Sequence, residues 1–384
     1  MKKIKVCVVV ASRANYGRVK FLLKALQEHT EIELQILVGA SLLLERFGKA
    51  INVMKQDGFE PNKAIYYTVE GETLITQAKS TGMGVIELAT AFGELAPDYV
   101  VTIADRYETM ATAISATYMN IPLIHLQGGE VSGNIDDRVR HAITKLADFH
   151  FVATEKSRER VIKMGEKESS VFNLGCPAMD VIANCDKSIS NEHMKKYGGV
   201  GSEVDWNKPY ILMIQHPVTT SYGEGFTQVE NTLNALYRIE HIQKVVLWPN
   251  ADAGGEDVAK GIRTFREHHM SDNFHFYKNF SAEDFIRVLN NATCAVGNSS
   301  SFLREGEFLG VPAVVVGDRQ NLRECGSNVI FTGYDEEAIF NGLNKQIEHG
   351  KYPQGRVFGN GDAGKRIAEI IPSLKPNLLK PLTY

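Results

Sequence analysis

A chain of 384 residues that is 43% hydrophobic and 23% charged has the length for two domains and the make-up of an ordinary globular protein. Its formal net charge of −4 leaves no general basic field to hold a nucleic-acid backbone. Five scattered cysteines, an odd count with no CxxC pair and no Cys/His ligand cluster, fit a reducing compartment.

Met1-Lys2-Lys3 leads into a short apolar run, Ile4 to Ala11. The run is too short for a membrane span and ends in a charged turn, so it reads as a first β-strand of a cytoplasmic protein. Helical spacing follows over Tyr16 to Glu28, with Val19, Leu22, Leu23 and Leu26 on one face. Glu33 to Val38 reads as a strand and Leu42 to Lys55 as a helix. Glu72 to Leu95 reads as a helix, with Gly82 and Gly84 as the places where a break is open. Tyr99 to Ile103, Pro122 to Leu126 and Phe149 to Ala153 are buried-strand runs, separated by helices over Tyr107 to Tyr118 and Ile135 to Ala147. After a polar junction, Asp186 to Lys208, a second series of strands is expected. Its members are Tyr210 to Ile214, Lys244 to Leu247, Phe274 to Tyr277, Thr293 to Val296 and Ala313 to Val316. Strands alternating with helices imply two doubly wound parallel sheets covered on both faces.

Ligands of such sheets bind beyond the carboxyl ends of the strands, so the residues after each strand are the ones to read. After the first strand stand Arg13 and Arg18, on a turn entering a helix and suited to an anion. Asp105-Arg106 follows the Tyr99 to Ile103 strand; an acid beside an arginine suits catalysis or clamping, and a helix cap is the bland alternative. His125-Leu126-Gln127-Gly128-Gly129-Glu130 ends the next strand, followed by Asp136, Asp137, Arg140 and His141. Gly128 and Gly129 permit close backbone approach, and so many titratable groups exceed what a turn needs. In the second series His216, Asn250 and Arg319 each follow a strand. Gly297-Asn298-Ser299-Ser300-Ser301 follows another and is expected to open a helix at Phe302, an anion seat built from free N–H groups and hydroxyls. Glu305 lies about a turn further on, placed to accept from ribose hydroxyls. No GK[ST] P-loop appears, and no GxGxxG follows the first strand, which disfavours a redox epimerase using NAD.

These motifs, taken in order as SRANYG, ADRYE, HLQGGEVSGNIDD, RHAITKLAD, HPVTT, WPNADAG, VGNSS and GDRQ, resemble the hydrolysing UDP-N-acetylglucosamine 2-epimerases of sialic acid synthesis over nearly the whole chain. Relatives in that family use UDP-N,N′-diacetylbacillosamine or a GDP analogue in legionaminic acid synthesis. The resemblance implies the GT-B architecture, two Rossmann-like domains around a central cleft. Residues 1–172, rejoined by a C-terminal helix over 365–384, would form the first, and 173–364 the second. It implies nucleotide contacts from Arg13, Arg106, His216, Asn250, Ser299, Ser300, Glu305 and Arg319, with uracil near Phe280. It assigns sugar chemistry to Asp105, Asp136 and the HLQGGE loop, with Glu130 as third acid and Asp180 near the sugar. It implies no cofactor, no metal, and a homodimer or homotetramer; Asp136 and Asp137 offer no dedicated Mg²⁺ ligand set. The chain departs from the pattern where many relatives carry a carboxylate and it has Gln127, at Asn15, and at Arg18 where a lysine is common. Glutamine cannot act as acid or base, so that role is absent or carried elsewhere. Three other readings stand beside this one: a non-hydrolysing epimerase, a GT-B glycosyltransferase, and a binding regulator without chemistry.

Overall fold

The computed structural model describes residues 2–44, 51–70, 73–131, 135–218, 223–249, 255–269, 273–377 and 379–383, with side chains except at 14, 74, 135 and 136. Seven short apolar runs pair into a first sheet: β1 (Ile4–Val10), β2 (Ile32–Gly39), β3 (Lys63–Ile65), β4 (Tyr99–Ile103), β5 (Leu123–Leu126), β6 (Phe149–Val152) and β7 (Val171–Asn173). Their order is β3-β2-β1-β4-β5-β6-β7, and every pairing is parallel. The intervening helices are α1 (Arg13–Glu28), α2 (Ile51–Gln56), α3 (Leu74–Leu95), α4 (Tyr107–Tyr118), α5 (Ile135–Leu146), α6 (Glu155–Lys163) and α7 (Pro177–Asn184). Alternate residues of β1 serve the two faces, as the strand period requires. Val6, Val8 and Val10 pack with Leu22, Leu23 and Leu26 of α1, while Cys7 and Val9 pack with Leu88 and Phe92 of α3 and Ala111 of α4.

Of the two possibilities open at Gly82 and Gly84, the unbroken helix is the one found. Gly84 sits where a Cβ would lie 3.0 Å from Ala111 and 3.1 Å from the Tyr67 ring, so that glycine serves close packing of α3 on α4 inside an unbroken helix. The helix expected over 42–55 appears as a 3₁₀ turn, Ala40–Leu43, and α2, with residues 45–50 outside the described set.

The second unit, Cys185–Val357, contains β8 (Gly199–Gly201), β9 (Tyr210–Ile214), β10 (Gln243–Leu247), β11 (Phe274–Tyr277), β12 (Cys294–Gly297), β13 (Ala313–Val316) and β14 (Val329–Thr332). Its order is β14-β13-β12-β9-β10-β11-β8, parallel except where β8 runs against β11. That antiparallel strand and the one-turn α8 (Asn191–Met194) come from the polar stretch read as a bare junction. The helices that cover this sheet and fill its edges are α9 (Gly225–Tyr237), α10 (Gly255–His268), α11 (Ala282–Asn291), α12 (Glu305–Leu309) and α13 (Glu336–His349).

The chain then returns to the first unit, which comprises Met1–Asn184 and Phe358–Tyr384. There α14 (Ala363–Ile370) buries Ile367 and Ala368 in the α1 cluster. Among the described residues no helix is long and apolar enough to cross a membrane. Both sheets have the doubly wound Rossmann order, which reverses between β1 and β4 in one unit and between β9 and β12 in the other.

Candidate active site

The reversal point of the first sheet is where Arg13 follows β1 and Asp105 follows β4. Ser12 caps α1 by accepting from the Asn15 N–H at 3.1 Å, which makes Arg13 the first residue of the helix. Ala104, just before Asp105, has φ +69°, and Gln127, just after β5, has φ +63°. Non-glycine residues in the left-handed region carry a cost of about 1–2 kcal/mol and mark sites held by their surroundings. Both are over-determined here. The Ala104 N–H donates to Leu126 O at 3.0 Å and its carbonyl bonds His125 Nε2 at 2.9 Å, while the Gln127 N–H donates to Phe151 O at 3.0 Å.

The hub of this end is Arg140, on α5 and 2% exposed. Its guanidinium donates to Asp105 Oδ2, to Asp137 Oδ1 and, at 2.7 Å, to the Glu130 carbonyl. A planar fork of donors is suited to fixing two carboxylates in one orientation. Asp105 and Asp137 each keep a little exposure, 17% and 16% of the side chain, so the pair is held from inside yet reachable from outside. One turn further along α5, the Thr144 hydroxyl lies 3.3 Å from His125 Nδ1. His125 is fully buried, and burial pushes its pKa down to about 3 despite the Ala104 carbonyl. It is thus a neutral imidazole locked between Ala104 and Thr144.

Gln127 links two candidate turns. Its Oε1 accepts from Arg18 Nη1 at 3.1 Å, and its Nε2 lies 2.9 Å from Cys176 Sγ. The loop it begins leaves no room for side chains. A Cβ on Gly128 would lie 3.0 Å from His125 Nδ1, and one on Gly129, which has φ +75°, would lie 2.4 Å from Ser157 O. Arg106 is exposed and pairs with buried Glu108 at 3.2 Å. Asp180 has a job of its own in the fold: it accepts from the N–H groups of Ala363 and Gly364 at 2.9 and 2.6 Å, seating α14. Burial pushes its pKa up to about 6, against the pull of those two hydrogen bonds. The Asp136 side chain lies outside the described residues.

The reversal point of the second sheet brings together His216, Asn298 and Arg319. Gly297 has φ +124°, and a Cβ there would lie 2.0 Å from Ile214 O, so only glycine lets β12 end beside β9. Asn298 spends its amide on the facing loop: Oδ1 accepts from the His216 N–H at 2.7 Å and Nδ2 donates to the His216 carbonyl at 2.8 Å. Its carbonyl accepts from Arg319 Nη1 at 3.3 Å and Gln320 Nε2 at 2.9 Å. Burial, with the Arg319 charge adding to it, pushes the His216 pKa down to about 4, so the ring is a neutral imidazole near neutral pH. The helix expected at Phe302 is a 3₁₀ turn, Ser300–Phe302, capped by Ser299, and the α-helix proper begins at Glu305. Phe280 is buried among Tyr197, Tyr277 and Trp206, with its N–H donating to Asn279 Oδ1 at 2.9 Å. Asn250 lies outside the described residues.

The two α/β sheets of Rossmann order, each with polar residues gathered at its reversal point, define the GT-B class of two-domain nucleotide-sugar enzymes. Within it, the chain belongs to the UDP-N-acetylglucosamine 2-epimerase family, whose model matches residues 24–372. It is 33% identical, over 96% of both chains, to the UDP-N,N′-diacetylbacillosamine 2-epimerase (hydrolyzing) of Legionella pneumophila. It is 29% identical to the UDP-N-acetylglucosamine 2-epimerase of Neisseria meningitidis, over 97% of this chain and 95% of that one. A solved structure of a Neisseria meningitidis UDP-GlcNAc 2-epimerase bound to UDP-GlcNAc superposes with a TM-score of 0.80 at 17% identity, covering 97% of this chain and 100% of that chain.

Proposed function

We propose that this enzyme is a hydrolysing 2-epimerase that converts UDP-N-acetylglucosamine and water to N-acetylmannosamine and UDP for nonulosonic acid synthesis. The observation that carries the chemistry is Arg140 clasping Asp105 and Asp137 at the end of β4 and the start of α5. In this reading a carboxylate of that cluster, Asp105 first, takes the proton from carbon 2 while the carbon 1–oxygen bond to UDP breaks, giving 2-acetamidoglucal. Water then adds across the new double bond, its hydroxyl to carbon 1 and a proton to carbon 2 from the opposite face, with Asp136 and Glu130 as candidates for that step. The diphosphate leaves onto Ser299, Ser300, Arg319, the neutral His216 N–H and the arginines Arg13 and Arg106, which offset its developing charge. Glu305 would take the ribose and the loop at Phe280 the uracil. The first domain would thus do the sugar chemistry and the second hold the nucleotide.

The hydrolysing mode is supported by the Legionella relative, which bears that description. The same identity favours a second substrate reading, UDP-N,N′-diacetylbacillosamine, as does Gln127 beside Arg18, where the family commonly has a carboxylate and a lysine. Five cysteines without disulfides suit work in the cytoplasm. The test is incubation with each nucleotide sugar in D₂O, followed by NMR. Free UDP with a 2-epimeric reducing sugar deuterated at carbon 2 is expected; UDP still attached to the product would instead establish the non-hydrolysing reaction.

A further inference from the structure

We propose that Lys380, in the tail of the chain, is a positioning residue for the acid cluster. It caps the carboxyl end of α5, the helix that carries Arg140, and so sets where that guanidinium holds Asp105 and Asp137. The Lys380 ammonium donates to three backbone carbonyls there, those of Thr144 at 3.0 Å, Lys145 at 2.9 Å and Ala147. Because α5 ends at Leu146, these belong to its last turn and to the residue after it. A helix leaves acceptors unpaired at that end and presents the negative end of its dipole. One cation satisfies both, and Lys380 is drawn in far enough to do so, its side chain 25% exposed. The same ammonium meets the buried Glu166 carboxylate at 2.8 Å.

The tail does not serve to complete the core. Leu379 and Leu382 are 79% and 56% exposed, while the lysine beside them is pulled inward, where burial lowers its pKa from the usual lysine value. A cavity of about 410 Å³, bordered by Phe149, Phe172, Leu374 and Lys375, is left between the tail and the start of β6 and β7. The anchors are polar: the Tyr99 hydroxyl, on β4, donates to the Leu374 carbonyl at 3.0 Å, and the Thr383 N–H donates to the Gly165 carbonyl at 3.2 Å. What they hold is the frame of the acid cluster, since β4 runs on to Asp105 and α5 carries Arg140 one turn before the capped carbonyls. Thr144 shows the link at its shortest. Its carbonyl accepts from Lys380, its hydroxyl lies 3.3 Å from His125 Nδ1, and His125 Nε2 bonds the carbonyl of Ala104, next to Asp105. A fork of donors that serves two carboxylates at once tolerates little drift of the helix bearing it.

The inference rests on the reading that this cluster does the carbon-2 chemistry, so its test pairs a readout that needs no reaction with one that does. In hydrogen exchange followed by mass spectrometry, the α5 amides of Lys380→Ala are expected to exchange at least ~10-fold faster than those of wild type, with second-unit amides unchanged. Turnover at saturation is expected to fall ~10-fold while KM and UDP affinity stay within ~2-fold, a split that general loss of structure would not give. Lys380→Arg, which restores a cation, is expected to recover most of both losses. Lys375→Ala, which removes an exposed lysine of the same tail, is expected to show neither. Unchanged α5 exchange or wild-type turnover in Lys380→Ala, or equal losses in Lys375→Ala, would overturn the proposal. A wild type inactive on every nucleotide sugar, with α5 exchange still faster in Lys380→Ala, would fault the proposed reaction alone. If Lys380→Ala fails to fold, Lys380→Met, which keeps the buried stem, is read in the same way. Failure of both to fold would overturn the proposal, because Lys380 would then hold the whole unit instead of one helix.

Discussion

The reversal points of the two sheets share a topology and differ in chemistry. At the first, between β1 and β4, a buried arginine binds two carboxylates and a carbonyl, and two non-glycine residues sit in the left-handed region. At the second, between β9 and β12, the imidazole is neutral, the asparagine amide is spent on backbone, and glycine carries the one positive φ of the strand end. One point stores charge and strain, which suits bond making; the other offers hydroxyls, backbone and a single guanidinium, which suits gripping an anion. The same frame can therefore divide a reaction into chemistry and grip, with the division written in the residues after the strands.

The sharpest way to break this contrast is Arg140→Met. It leaves Asp105 and Asp137 without their shared partner, so a loss of ~3 kcal/mol of stability and at least ~1,000-fold in turnover is expected, read by thermal unfolding and product assay. Arg140→Lys, which keeps the charge and loses the fork, should fall between. Ser300→Ala with Arg319→Ala strikes the other point. UDP affinity is expected to drop ~10- to 100-fold by calorimetry, with turnover at saturation falling less. Equal losses in both quantities would erase the proposed division. Gln127→Glu asks whether a carboxylate is tolerated between Arg18 and Cys176. Turnover within ~10-fold of wild type is expected, with a new acidic limb in its pH profile if the added group takes part.

The smallest effect lies away from both points. Glu166, buried, accepts from Lys145 at 2.5 Å, His150 at 3.0 Å and Lys380 at 2.8 Å. Burial raises its pKa, but those three hydrogen bonds outweigh burial and bring it from an ordinary 4.5 down to about 2. A carboxyl group lowered on folding contributes stability above its unfolded pKa, and that contribution is lost as pH falls from about 4.5 toward about 2. Glu166→Gln should flatten the acid side of the stability profile over that window while leaving catalysis near neutral pH unchanged.

Much of this was legible in the chain itself. Long β-branched runs such as Ile4–Val10 and Ala313–Val316 announce buried parallel strands, and position after a strand picked out Asp105, His216 and Gly297. Three-residue edge strands such as Lys63–Ile65 and Val171–Asn173 carry too little period to read. The glycine in α3 looked like a breaker because its neighbour, Ala111, lies 27 residues away in sequence and 3.0 Å away in space. Arg140 stood among the titratable residues of its loop, yet its role as hub depends on burial, which spacing on α5 cannot supply. The left-handed Ala104 and Gln127 leave no mark in sequence, since neither residue type favours that region.

The most direct measurement is Asp105→Asn, followed by carbon-2 deuterium incorporation in D₂O and UDP affinity on the same preparation. If the β4 end does the chemistry and the β12 end the gripping, the variant binds UDP within ~2-fold of wild type and incorporates no deuterium at carbon 2. Turnover and exchange at the wild-type rate, or loss of UDP binding together with exchange, would contradict that division.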